Sequence, residues 1–157
     1  MRVILVRHAE AVPEEDSGSD RDRWLSARGR EMARGLARLL REQDVAPDAM
    51  VASPLPRAIQ TAELLAAGLD YLGPIESWRC LEPGAHPRVA ATEIGATAGA
   101  VIVVVGHEPS ISALGAYLAG RPAFPSFRTA QACALDGNLP VFTARADLMA
   151  VSTLFLD

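Results

Sequence analysis

The sequence predicts an α/β fold with a mostly parallel central sheet covered by helices. Three observations predict it. Val3-Ile4-Leu5-Val6 and Val101-Ile102-Val103-Val104-Val105 are continuous apolar runs without alternation, as strands covered on both faces require. Segments of helical periodicity come between the apolar runs, in the β-then-α order of parallel sheets. Both runs end in a histidine, the first as Arg7-His8 and the second as Gly106-His107. Open α/β sheets bind ligands outside the carboxyl ends of their strands, so both histidines are expected on one functional rim.

Composition narrows the classes. A length of 157 residues suits one domain, 1–157, large enough for a full core. Half of the residues are hydrophobic and 22% are charged, which argues against disorder. A net charge of −4 argues against non-specific nucleic-acid binding. All 15 basic residues are arginine, so a lysine Schiff base and a lysine-bearing P-loop are excluded. Guanidinium groups remain, and they bind phosphate in bidentate fashion. Cys80 and Cys133 have no ligand spacing and are expected as buried thiols. The first apolar run is too short for a signal peptide, and no stretch reaches the ~20 apolar residues of a membrane span. The expected location is cytoplasmic.

The first strand, near Val3–Val6, leads through Arg7-His8 into an acidic arm, Glu10 to Asp20, expected as a surface loop beside the site. Ser26 is a suitable N-cap for a helix reaching about Gln43, with Met32, Leu36 and Leu40 on its apolar face and Arg28, Arg34, Arg38 and Arg41 in solvent. Met50-Val51-Ala52 reads as a second strand. Pro54 and Pro56 then open a helix whose face carries Ala58, Ala62, Leu65 and Leu69, and Arg57 falls in its first turn. Free N–H groups there favour an anion. A third strand is expected near Ile75–Trp78, a loop over Cys80–Pro87, and a helix from about Val89 to Ala98. After the strand 101–105, a helix carries Ile111, Leu114 and Leu118, and a loop spans 121–128. Strands near Ala130–Leu135 and Leu148–Phe155 complete the sheet, with an antiparallel edge.

Arg7, His8, Arg57 and His107 thus converge on one rim, where two guanidinium groups and two imidazoles suit a phosphoryl dianion. Neighbouring arginines disfavour the imidazolium form, so His8 is expected neutral and nucleophilic. Attack on phosphorus would give a phosphohistidine that water hydrolyses, while Arg7, Arg57 and His107 hold the phosphoryl oxygens. Rival chemistries fit less well. Arginines repel a divalent cation and no metal spacing is present, so neither metal nor cofactor is expected. Ser53 or Ser110 as a hydrolase nucleophile lacks the G-x-S-x-G elbow. No G-x-G-x-x-G follows the first strand. A binding module that has lost turnover should lack the nucleophile or a phosphate ligand, and all four residues are present.

The segments Val6-Arg7-His8-Ala9-Glu10, Leu25-Ser26-Ala27-Arg28-Gly29, Ser53-Pro54-Leu55-Pro56-Arg57-Ala58-Ile59-Gln60-Thr61-Ala62 and Val105-Gly106-His107-Glu108-Pro109 resemble the histidine phosphatase superfamily. The resemblance runs in family order over most of the chain. It implies a three-layer α/β/α fold of phosphoglycerate mutase type. It also implies His8 as phosphorylated nucleophile and Arg7, Arg57 and His107 as phosphate ligands. The R-H-A triplet departs from the more familiar R-H-G.

Small size resembles the SixA-type branch, the protein phosphohistidine phosphatases. About fifty residues separate Arg57 from His107, leaving little room for a cap over the site. The implied partner is a phosphorylated protein, such as a histidine-phosphotransfer domain. Small phosphorylated metabolites are the alternative, and neither nucleic acid nor membrane is expected. Arg23, in Asp20-x-x-Arg23-x-Leu25-Ser26, resembles a branch arginine near the site. Larger relatives carry a mid-chain glutamate that protonates the leaving alkoxide. Glu82 is the nearest candidate for that acid, in surroundings that match poorly. An imidazole leaves more readily than an alkoxide, so a missing acid would suit a phosphoramidate substrate.

Overall fold

A computed structural model describes residues 1–137 and 147–149. Six strands form one sheet: β1 (Arg2–Arg7), β2 (Ala49–Ala52), β3 (Ile75–Ser77), β4 (Val101–Gly106), β5 (Ala132–Asp136) and β6 (Asp147–Met149). Their spatial order is β3-β2-β4-β1-β5-β6. The pairs β2–β3, β2–β4 and β1–β4 are parallel, and β5 runs antiparallel to both β1 and β6. The expected antiparallel edge is therefore present. Of the last expected strand, Asp147–Met149 is seen, and residues 150–155 lie outside the described residues.

The central pair explains the unbroken apolar runs. Along β1, Ile4 and Val6 face one core while Val3 and Leu5 face the other; along β4, Val103 and Val105 alternate with Ile102 and Val104. The first core is closed by α2 (Ala27–Glu42) and α3 (Pro56–Gly68), through Met32, Leu36, Leu40, Ala62 and Leu65. The second is closed by α4 (Pro87–Ala96) and α5 (Ser110–Ala119), through Ile94, Ile111, Leu114 and Leu118. Three layers result. Each fully buried aliphatic side chain contributes about 1.5–3 kcal/mol, so both sheet faces favour this arrangement.

Helix boundaries follow local chemistry. Ser26 caps α2 by accepting from the Gly29 N–H at 2.9 Å, as expected for an N-cap serine. Pro56 occupies the first turn of α3, where its missing N–H costs nothing. The fourth helix starts at Pro87 and ends at Ala96, two residues earlier at each end than its apolar pattern suggests. Two expected loops contain short helical turns: α1 (Glu14–Ser17) in the acidic arm, and a 3₁₀ turn at Arg79–Leu81. Among the described residues, no helix is long and apolar enough to cross a membrane.

Two features set the rim. The arm leaves β1 and returns to α2 through a bridge between Ala11 and Leu25, with the Val12 N–H donating to the Trp24 carbonyl at 2.8 Å. Gly29 allows that closure, because a Cβ there would lie 1.9 Å from the Glu10 carbonyl oxygen. The arm therefore folds back over the carboxyl ends of the strands.

Candidate active site

The parallel register aligns the strand ends. Arg7 pairs with Gly106 across β1 and β4, and Ala52 with Val105 across β2 and β4, so His8, His107 and Ser53 emerge side by side. The His8 N–H donates to the Gly106 carbonyl at 3.0 Å, and the Ser53 N–H to Val105 at 3.0 Å. Arg57 enters from the first turn of α3, only 4% exposed. Together Arg7, His8, Arg57 and His107 line one cavity of about 330 Å³.

His8 has a defined tautomer. Its Nδ1 lies 2.7 Å from the Ala9 carbonyl oxygen, which can only accept, so Nδ1 carries the proton. The Nε2 lone pair is left available. His8 is held neutral, with its pKa lowered to about 4. Burial is the largest cause, and the charges of Arg57, Arg7 and Arg23 add to it. The arginines are visible in the sequence, whereas the greater effect of burial comes from the fold.

His107 is 2% exposed, and its pKa is lowered to about 3 by burial first and then by the His8 and Arg57 charges. Its Nε2 meets the Ser53 hydroxyl at 2.8 Å. Arg7 donates from Nη1 to the Phe127 carbonyl at 2.8 Å, and Arg57 from Nη1 to the Asp20 carbonyl at 2.7 Å. Three buried donor-capable nitrogens, Arg7 Nε, Arg57 Nε and His107 Nδ1, have no partner among the described residues. Orphaned groups of this kind are rare in native structures. A tetrahedral oxyanion offers the acceptors and the charge that they lack.

The arm completes the rim. Arg23 joins the cavity lining, donating from Nε to the Val12 carbonyl at 2.7 Å. Asp20, which the sequence reading used only as context for Arg23, proves central. Its carboxylate meets Arg23 Nη1 at 3.1 Å and Arg57 Nη2 at 3.3 Å, bridging the two cations. The Arg23 hydrogen bond is the largest cause of its lowered pKa.

Glu82 sits differently from the other candidates. Its neighbour Pro83 lines the cavity, whereas the Glu82 carboxylate pairs with Arg21 at 2.9 Å. That hydrogen bond lowers its pKa, the opposite of what a proton donor needs. Among the described residues, three carboxylates line the cavity, and each accepts a hydrogen bond. Asp20 is held by arginines, Glu10 accepts from the Ser26 hydroxyl at 2.7 Å, and Glu108 from the Ser112 hydroxyl at 3.0 Å.

Two buried hydroxyls were not read as site partners. Thr61 accepts from the Ala9 N–H at 3.0 Å and donates to the Arg57 carbonyl at 2.7 Å, tying the His8 segment to α3. Ser53 is the other. Both belong to the S-P-x-x-R-A-x-Q-T-A block, whose polar positions were the available signal. Gln60 of the same block accepts from the Leu25 N–H at 2.8 Å and anchors the arm. Among the described residues, no group of three or more His, Cys, Asp or Glu side chains could hold a metal ion.

The model of the histidine phosphatase superfamily (branch 1) matches residues 3–82, the half of the chain that carries Arg7, His8 and Arg57. The chain belongs to the histidine phosphatase superfamily. An uncharacterized protein of Picosynechococcus sp. is 29% identical to this superfamily member over 126 residues, 71% of this chain and 68% of its own. The structure of the protein histidine phosphatase SixA complexed with tungstate superposes with a TM-score of 0.85. It shows 25% identity, covering 98% of this chain and 99% of that one. The alpha-ribazole phosphatase of Shigella flexneri shares the fold, with a TM-score of 0.72 at 23% identity over 98% of this chain and 96% of that one. This histidine phosphatase chain is thus similar to SixA over nearly its whole length.

Proposed function

We propose that this chain is a phosphatase acting through a phosphoenzyme on His8, with phosphohistidine in a protein as its substrate. The observation that carries the proposal is the neutral His8 imidazole. Its Nδ1 proton is committed to the Ala9 carbonyl, and its other nitrogen is free for attack beside orphaned arginine and histidine donors.

In the first step, the Nε2 lone pair forms a bond to phosphorus and the bond from phosphorus to the leaving group breaks. Arg7, Arg57 and His107 hold the equatorial oxygens as charge redistributes. In the second step, water attacks phosphorus, the N–P bond breaks, and inorganic phosphate leaves with the Nε2 lone pair restored. The Ala9 carbonyl keeps the ring in one tautomer throughout.

Two observations support phosphohistidine over phosphate esters. An alkoxide needs a proton as it departs, and among the described residues the carboxylates lining the cavity accept hydrogen bonds from arginine or serine, while Glu82 is paired with Arg21. An imidazole departs with far less assistance. Also, β3 and α4 take up the chain between Arg57 and His107, so no inserted cap closes the cavity against a side chain on another protein. The similarity to SixA points the same way.

The test is turnover of an aryl phosphate, followed by a panel of phosphohistidine protein and alkyl phosphate metabolites. Turnover should vanish in His8→Ala, and a trapped phosphoenzyme should appear by intact mass in wild type only. Undiminished activity in His8→Ala would overturn the mechanism. Faster turnover of an alkyl phosphate metabolite than of phosphohistidine protein would reassign the chain to small-molecule esters.

A further inference from the structure

Ser53 is completely buried at the end of β2, and its hydroxyl meets two polar groups among the described residues. The Leu55 N–H donates to Oγ at 3.3 Å, the local turn that a serine makes with the residue two positions on. The second contact is His107 Nε2, at 2.8 Å. A hydroxyl has one proton to donate. If His107 Nε2 carried hydrogen, Oγ would receive two donors and its own proton would have no acceptor in a fully buried place. If Oγ donates to Nε2, all three groups are satisfied. The first arrangement strands the Ser53 proton away from the cavity, whereas the second leaves its unmet proton on His107 Nδ1, on a side chain lining the cavity, where a phosphoryl oxygen can accept it. Only the second therefore escapes the lasting cost of an unmet buried donor, about 1–3 kcal/mol.

We infer that Ser53 is a positioning residue that holds His107 in the Nδ1–H tautomer, so that His107 meets the phosphoryl group as a neutral hydrogen-bond donor. The ring has only one other nitrogen, and His107 Nδ1 is a buried atom without a partner among the described residues, on a side chain that lines the cavity. The parallel register of β2 and β4 brings the two strand ends together, since Ala52 sits opposite Val105. Full burial also removes Ser53 as a nucleophile, because substrate cannot reach its Oγ. Without the serine, the ring is free to carry its proton on Nε2 and to turn a lone pair toward the phosphoryl oxygens. Lone pair against oxyanion is repulsive where a donor was required.

The inference rests on the phosphatase reading for its kinetic consequence, but the tautomer can be observed without turnover. Long-range ¹H–¹⁵N correlation spectra of protein labelled at histidine nitrogens should show His107 of wild type protonated at Nδ1 and bare at Nε2. Ser53→Ala should move the proton to Nε2, and Ser53→Thr should restore the wild-type pattern. On an aryl phosphate, Ser53→Ala should lose roughly 10- to 100-fold in kcat. That is less than the 100- to 1,000-fold typical of losing a donor outright, because the tautomer is biased and not abolished. Ser53→Ala added to His107→Ala should cost nothing further. Nε2 protonation in wild type would overturn the inference without touching the His8 mechanism. An equal kcat loss for Ser53→Ala in wild-type and His107→Ala backgrounds would overturn it too. Activity surviving in His8→Ala would instead defeat the phosphatase mechanism and leave the tautomer assignment standing.

Discussion

The imidazole rings of His8 and His107 lie with centroids 5.0 Å apart at an interplanar angle of 57°, and both are held neutral. Their folded pKa values, about 4 and about 3, lie below the ordinary histidine value of 6.5. The unfolded chain therefore binds protons first as pH falls. Stability is fully present above pH 6.5 and drains away as pH drops toward the folded values. By pH 5 each ring costs about 2 kcal/mol. Urea unfolding at pH 7.5 and pH 5 should show that loss, and His8→Gln should lose about 2 kcal/mol less than wild type. Equal losses in the two proteins would contradict a neutral buried His8.

Asp20 occupies the guanidinium that an incoming phosphoryl group needs. Arg57 is oriented mainly by the Asp20 backbone, whose carbonyl lies at 2.7 Å, while the carboxylate contact is longer at 3.3 Å. Asp20→Asn therefore removes the competing charge and leaves the orienting bond. Arg57 is buried but the Asp20 carboxylate is open to solvent and its contact is long, so the pair is worth about 1 kcal/mol, and inorganic phosphate or vanadate should inhibit about fivefold more tightly. Weaker inhibition in Asp20→Asn would show that the carboxylate assists anion binding.

The parallel core and the convergence of Arg7, His8, Arg57 and His107 were legible because they depend on short-range rules. A buried strand shows as an unbroken apolar run, and strand-end residues share a rim whatever the loops do. Asp20 was not legible in the same way, since its contact with Arg57, thirty-seven positions away in sequence, depends on how the arm folds back. Ser53 and Thr61 were hidden for another reason. Their residue types suit a turn and a helix equally well, and only burial turns their hydroxyls into obligatory bonds. The ends of α4 illustrate the usual blur, where Pro87 can start a helix before its apolar pattern begins.

Glu82 provides a sharp test of the leaving-group argument. Its carboxylate is paired with Arg21 and its pKa is lowered, so it is poorly suited to give up a proton. Glu82→Gln should change kcat by less than about twofold on both an aryl phosphate and a phosphohistidine peptide. A large and equal loss on both would restore it as the acid and remove the basis for a phosphoramidate preference.

Gly29 is held by the arm and not by the helix. Alanine is the better helix former by about 1 kcal/mol, so propensity alone favours Gly29→Ala. The new Cβ would however stand 1.9 Å from a backbone oxygen of Glu10, which no rotamer change relieves. Overpacking costs typically about 1–3 kcal/mol. Thermal unfolding should show a net loss of stability, and a stabilised variant would mean that the closure between the arm and α2 is loose.

Thr61 joins the two halves of the site through one hydroxyl. It accepts from the Ala9 N–H at 3.0 Å and donates to the Arg57 carbonyl at 2.7 Å, and it is completely buried. Ala9 in turn offers the carbonyl that binds His8 Nδ1 at 2.7 Å. Thr61→Val keeps the shape, yet strands the Ala9 N–H without an acceptor. That costs about 1–3 kcal/mol in stability, read by urea unfolding. Because residues 9 and 57 are both loosened, kcat on an aryl phosphate should fall as well. Thr61→Ser retains the hydroxyl and should recover most of the kcat despite its missing methyl. If serine and valine variants lost kcat equally, packing and not the hydroxyl bridge would be what holds His8 against Arg57.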